Sequence, residues 1–158
     1  MFFKFSGPIL LLASSFLVVI AACTRYWIIN RSTDYVESIL MYCVESICRN
    51  MARGIMYRFF VQGFLLLAAT YGSLCAILVI IQMKCLIRHR KMLNMFLSIT
   101  VLLPAIHTVV AMSIYTWKYT PAAGFKYRGW SYLLGWSCFP LFLAAAVSTI
   151  YYLNFHKH

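Results

Sequence analysis

Four stretches of the chain contain no Lys, Arg, Asp or Glu: 5–24, 59–83, 92–117 and 129–156. A charged side chain at the centre of a hydrocarbon layer costs about 2.5–3.5 kcal/mol on insertion scales, so uninterrupted apolar runs are what a bilayer-crossing segment requires. Each stretch reaches the roughly 20 residues with which a helix covers about 30 Å of hydrocarbon. Hydrophobic residues make up 63% of the 158, well beyond a soluble domain of ordinary composition. The chain therefore reads as one tetraspan membrane domain, 1–158, with helices at 5–24, 59–83, 92–117 and 130–154. Between them lie a first loop at 25–58, a short basic turn at 84–91 and a second loop at 118–129.

The first stretch has a competing description. Lys4, an apolar core and small residues leading to Cys23 resemble a cleaved signal, even that of a bacterial lipoprotein. A retained helix is simpler, because nothing after Cys23 looks like a soluble domain and three spans would put the chain ends on opposite sides.

Fourteen Lys and Arg against three acids give a net charge of +11. On a soluble surface that balance suggests nucleic acid. Here the cations fall between apolar runs, where membrane proteins keep them, and no nucleic-acid partner is expected. Lys4, Lys84, Arg88, Arg90, Lys91 and Lys157 flank one side of the membrane; Arg25, Arg31, Arg49, Arg53, Arg58, Lys118, Lys126 and Arg128 flank the other. The count is nearly balanced, but the density of the short turn favours the cytoplasm for it. The sequon Asn30-Arg31-Ser32 and the pair Cys43/Cys48 favour an outside first loop, which makes Asn30 a glycosylation candidate.

Within that loop, RYWII is rich in β-forming residues. SILMYC and the segment after Ile47 bracket a four-residue connection, Val44 to Ile47, that suits a hairpin, and helix is expected again from about Met51. Structural zinc needs four ligands, whereas the loop offers two cysteines and no histidine; a thioredoxin-like site would be Cys-x-x-Cys. Facing positions of a hairpin do come within disulfide reach, so Cys43 and Cys48 read as a structural disulfide. Cys23, Cys75 and Cys138 lie in or at the ends of spans and read as small apolar residues. Cys85, beside Lys84 at the cytoplasmic lipid boundary, is either an unmodified thiol or a palmitoylation site.

No phosphate loop, helical metal motif or nucleophile with its base is present, so the reading is a non-enzyme with no catalytic residues, cofactor or metal. Gln62, Gln82, Asn94 and Asn154 sit near span ends; His107 is deeper and has no acidic partner in any span, which favours a helix-to-helix hydrogen bond over a proton relay. Pro104 and Pro140 predict kinks. Ala13, Ser14 and Ser15 in the first span and Ala144, Ala145, Ala146 and Ser148 in the fourth predict close helix approach.

Trp27 after the first span, the cysteine pair in the same loop, and the runs SIYT and WSYLLGW around the fourth span resemble the peripheral myelin protein, epithelial membrane protein and claudin superfamily. The short cysteine spacing and the run from Trp130 to Trp136 look most like its lens fibre membrane intrinsic protein, natural killer granule protein and claudin-domain-containing branches. The resemblance implies an all-α membrane protein: a left-handed four-transmembrane-helix bundle capped by a small extracellular β-sheet, with both termini in the cytoplasm. It implies that Trp27, which also reads as an interfacial anchor at the membrane surface, belongs to the first-loop motif and that Cys43 and Cys48 form the family disulfide. It also implies that Gly135 permits close packing and that Trp130 and Trp136 lie near the outer interface or between helices. In place of the family's Gly-Leu-Trp stands Ser38-Ile39-Leu40, and the NFHKH tail has no room for a scaffold-binding terminus.

The functional expectation is a protein acting by lateral or cell-cell contact with other integral membrane proteins or with itself, as organiser, adhesion component or auxiliary subunit. Trp117, Tyr119, Phe125 and Tyr127, interleaved with Lys118, Lys126 and Arg128, are the candidate contact surface, or else an aromatic belt with snorkelling cations. The alternative is a paracellular barrier or anion-preferring channel, since the first loop has five arginines against Asp34, Glu37 and Glu45. The expected location is the plasma membrane, with a secretory-pathway or granule membrane as the alternative.

Overall fold

A computed structural model describes residues 6–30, 35–39, 41–44, 47–50, 55–84, 91–118 and 126–155. Five helices form: α1 (Ser6–Cys23), α2 (Ile55–Lys84), α3 (Lys91–Thr100), α4 (Leu103–Lys118) and α5 (Trp130–Phe155). Five short strands accompany them: β1 (Ile28–Asn30), β2 (Tyr35–Glu37), β3 (Met41–Val44), β4 (Ile47–Asn50) and β5 (Lys126–Arg128). Four membrane-crossing lengths result, Ser6–Cys23, Met56–Met83, Met92–Trp117 and Trp130–Leu153. The second begins at Met56 rather than residue 59, which carries Arg58 inside the helix.

The third crossing is made of two helices. Pro104 has no N–H to return to the Thr100 carbonyl and disfavours helix at the residue before it, and the chain turns at Val101 and Leu102. Val101 N–H still donates to Leu97 at 3.1 Å and Ile106 N–H to Leu102 at 3.2 Å, so the two helices stay stacked. At Pro140, by contrast, α5 runs through unbroken. In α1, Pro8 lies in the first turn, where a missing donor costs little.

The helices pack as a ring in which α1 touches α2 and α5, and α4 touches the other faces of α2 and α5. Buried Leu11, Val18, Leu65, Met112 and Phe142 fill the centre. Outward faces stay apolar, with Ile9, Phe16, Phe60 and Val147 exposed, the pattern of a bundle solvated by lipid. Of the small residues expected at the α1–α5 seam, Ser14, Ser15, Ala145 and Ala146 are buried, while Ala13 and Ala144 face outward. Ser6 and Ser148 hydroxyls meet at 2.8 Å across that seam.

The strands form one antiparallel sheet in the order β4-β3-β2-β1-β5, at the end of the bundle opposite the start of α1 and the end of α5. Sequence reading anticipated a hairpin here and missed β2 and β5. Val44 pairs with Ile47, so the hairpin connection is Glu45 and Ser46 alone, two residues shorter than expected. Cys43 faces Cys48 in the ladder, and they form the disulfide, with Cα atoms 4.1 Å apart. The second loop supplies β5 to the outer side of β1, tying both loops into one cap.

Candidate functional site

The cap is seated on the bundle through Trp27. The first loop drops this side chain into the helices, where it is fully buried. Its Nε1–H donates to the Ala21 carbonyl at 2.8 Å. That carbonyl is one of the last four of α1, which have no partner within the helix, so the indole caps α1 while filling the bundle. Tyr115 of α4 meets it edge-on with ring centroids 4.8 Å apart, and Tyr132 of α5 lies 6.0 Å from Tyr115. The Tyr132 and Thr116 hydroxyls hydrogen-bond at 2.9 Å. Loop one, α4 and α5 thus converge on three rings, drawn from the first-loop tryptophan, SIYT and WSYLLGW. Gly135 leaves the space they need: a Cβ there would lie 2.8 Å from Met112 Sδ and 3.7 Å from the Trp27 ring. An interfacial anchor would leave Trp27 exposed at the membrane surface, and it is not.

A second fastening joins β2 to α2. Glu37, fully buried, accepts a hydrogen bond from Arg58 Nη2, and the two form the one ion pair among the described residues. Arg58 also donates to the Ser38 and Ile39 carbonyls at 3.3 and 3.4 Å and, through Nε, to the Tyr57 hydroxyl at 2.9 Å. Its donors are distributed over several acceptors, the condition under which a buried charge pair is tolerated. Nothing in the sequence announces this pair, because Glu37 and Arg58 lie 21 positions apart and each reads as an ordinary loop charge.

What the cap leaves outside is aromatic and basic. Trp117 is 78% exposed, Tyr127 62% and Trp130 47%; Trp136 is half-buried against the core. Arg25 and Arg128 are exposed. Asn30, the last residue of β1, is half-buried and pairs in register with Tyr35 and Lys126. Phe125 and residues 85–90 of the basic turn, Cys85 among them, fall outside the described residues.

The bundle's other polar groups serve packing. Gln82 donates to Asn94, which donates onward to the Leu153 carbonyl at 3.4 Å, linking α2, α3 and α5 near the termini. His107 Nδ1 hydrogen-bonds the Leu103 carbonyl of its own helix at 2.6 Å, not another helix as expected. Its cross-helix contact is ring packing on Tyr71, 5.5 Å away, and Phe64. Among the described residues no His, Cys, Asp and Glu group could hold a metal ion.

The sequence pattern of the PMP-22/EMP/MP20/Claudin family matches residues 5–148, and the chain belongs to that family. No individual curated protein matches it. The chain is accordingly a claudin-like tetraspan membrane protein and not an enzyme.

Proposed function

We propose that this tetraspan works by contact, joining other integral membrane proteins or further copies of itself through the exposed rim of its cap, as an organiser, adhesion component or auxiliary subunit. The supporting observation is the contrast between the two sides of the cap. Trp27, Glu37 and Arg58 are engaged in holding it to the helices, while Trp117 and Tyr127 stand outward at its edge. Large aromatic side chains with little rotamer freedom are the commonest anchors of protein interfaces. Phe125, Trp130 and Trp136 extend the same reading along the second loop and the start of α5. Within the family, the short cysteine spacing and WSYLLGW favour the branch of the lens fibre and natural killer granule proteins. The outer side of the plasma membrane would expose the cap, make Asn30 available for glycosylation and put Cys85 at the cytoplasmic boundary for acylation.

Burial of the Glu37–Arg58 pair removes one charge of each sign from the first loop, so the alternative, an anion-preferring paracellular channel, keeps the same excess of cations.

A photo-crosslinking amino acid placed at Trp117 or Tyr127 in intact cells tests the proposal, with outward-facing Phe16 of α1 as control. Discrete protein adducts from the cap positions and none from Phe16 are expected. Lipid adducts alone from all three positions would contradict it.

A further inference from the structure

We propose that the seam where α1 ends and α5 begins holds the anionic headgroup of a lipid in the leaflet on the sheet side. It goes beyond the contact function above, with which it shares Trp130. Beyond the β1–β5 ladder the two chains continue side by side: Gly129 N–H donates to the Trp27 carbonyl at 2.9 Å and Ser131 N–H to the Tyr26 carbonyl at 3.2 Å. Residues 25–30 and 126–131 therefore form one ribbon, which contains Arg25, Lys126 and Arg128 and no acid. Arg25 and Arg128 are exposed, and neither is in the one ion pair of the described residues. Arg128 is held in place by the Tyr132 ring, 4.8 Å below its guanidinium. Beside these cations Tyr26 and Trp130 pack with centroids 5.9 Å apart, each about half-exposed.

Depth selects the occupant. Cys23 ends α1 and Trp130 begins α5, so the ribbon lies at the hydrocarbon boundary, where Trp and Tyr occupy the headgroup layer. Leu133, on the same face of α5 as Trp130, is 60% exposed and offers an apolar surface for an acyl chain. A guanidinium presents a planar fork of donors that matches phosphate or sulfate oxygens. Cation, aromatic and apolar surface thus follow one another in the order of a headgroup, its ester region and its chain.

All four tryptophans, Trp27, Trp117, Trp130 and Trp136, lie in the half of the molecule that carries the sheet, so tryptophan fluorescence does not see the basic turn at the other end. The full chain carrying Trp117→Phe would be reconstituted in phosphatidylcholine nanodiscs and titrated with brominated phosphatidylglycerol or brominated phosphatidylcholine. Quenching by the anionic lipid is expected at several-fold lower mole fraction, with the preference fading at high salt. Each surface cation contributes roughly fivefold to such a preference. Replacing Arg25 and Arg128 together by Gln should abolish the difference, and replacement of both by Lys should retain most of it. Equal quenching by the two lipids in the starting protein, needing no folded variant, would overturn the proposal; so would an undiminished preference in the double Gln variant.

Discussion

Glu37 sits fully buried with Arg58 as its counter-charge, and the pair joins β2 to the first turn of α2. Removing one partner of a buried pair leaves an uncompensated charge and costs about 3–5 kcal/mol, whereas replacing both by apolar residues of similar volume is often neutral. Glu37→Leu or Arg58→Met alone should therefore lower the thermal stability of the purified protein by about that amount, and the double variant should regain most of it. Additive losses would show that each residue acts through other contacts. Trp27 makes a related point about what a sequence conveys. Its place after the first span was legible, but its burial was not, because a tryptophan at a membrane boundary satisfies the interface equally well. The nearby Ala21 carbonyl, at the end of α1, and the space beside Gly135 draw it inward.

At the scale of elements, apolar runs specified the helices and ladder geometry the rest. The four crossings could be read directly, since transfer free energy depends on composition summed over a window. Cys43 and Cys48 could be read too, because a hairpin is a local structure. Three-residue β5 could not: it pairs with a strand almost a hundred positions away and has no hydrophobic alternation of its own to announce it. Gly129 is what permits that pairing. A Cβ there would run into the Tyr26 carbonyl oxygen, a backbone atom that cannot rotate aside. At Gly135 the obstacle is the flexible end of Met112. Gly129→Ala should thus release β5 and speed amide exchange in residues 126–128, while Gly135→Ala should leave the sheet protected and cost about 1–3 kcal/mol through overpacking. Equal protection of residues 126–128 in both variants would contradict this account. Pro104 and Pro140 likewise looked alike in sequence, yet only the first divides its helix.

For the whole molecule, the ring of helices has two unlike ends. One carries the start of α1, the end of α5 and the Gln82–Asn94 link; the other carries a disulfide-closed sheet fixed by Trp27 and the Glu37–Arg58 pair. An even number of crossings places the start of α1 and the end of α5 together and the sheet opposite them. A disulfide persists in an oxidising compartment, so we propose that the sheet end faces the lumen or the cell exterior, and every contact proposed for the cap depends on that orientation. The direct measurement uses a chain in which Cys23, Cys75, Cys85 and Cys138 are serine, synthesised into sealed endoplasmic-reticulum microsomes and treated with a bulky membrane-impermeant maleimide. Cys43 and Cys48 should stay unlabelled until detergent and reductant are both supplied. Labelling in sealed microsomes, with or without an impermeant reductant, would put the sheet on the cytoplasmic side and contradict the account.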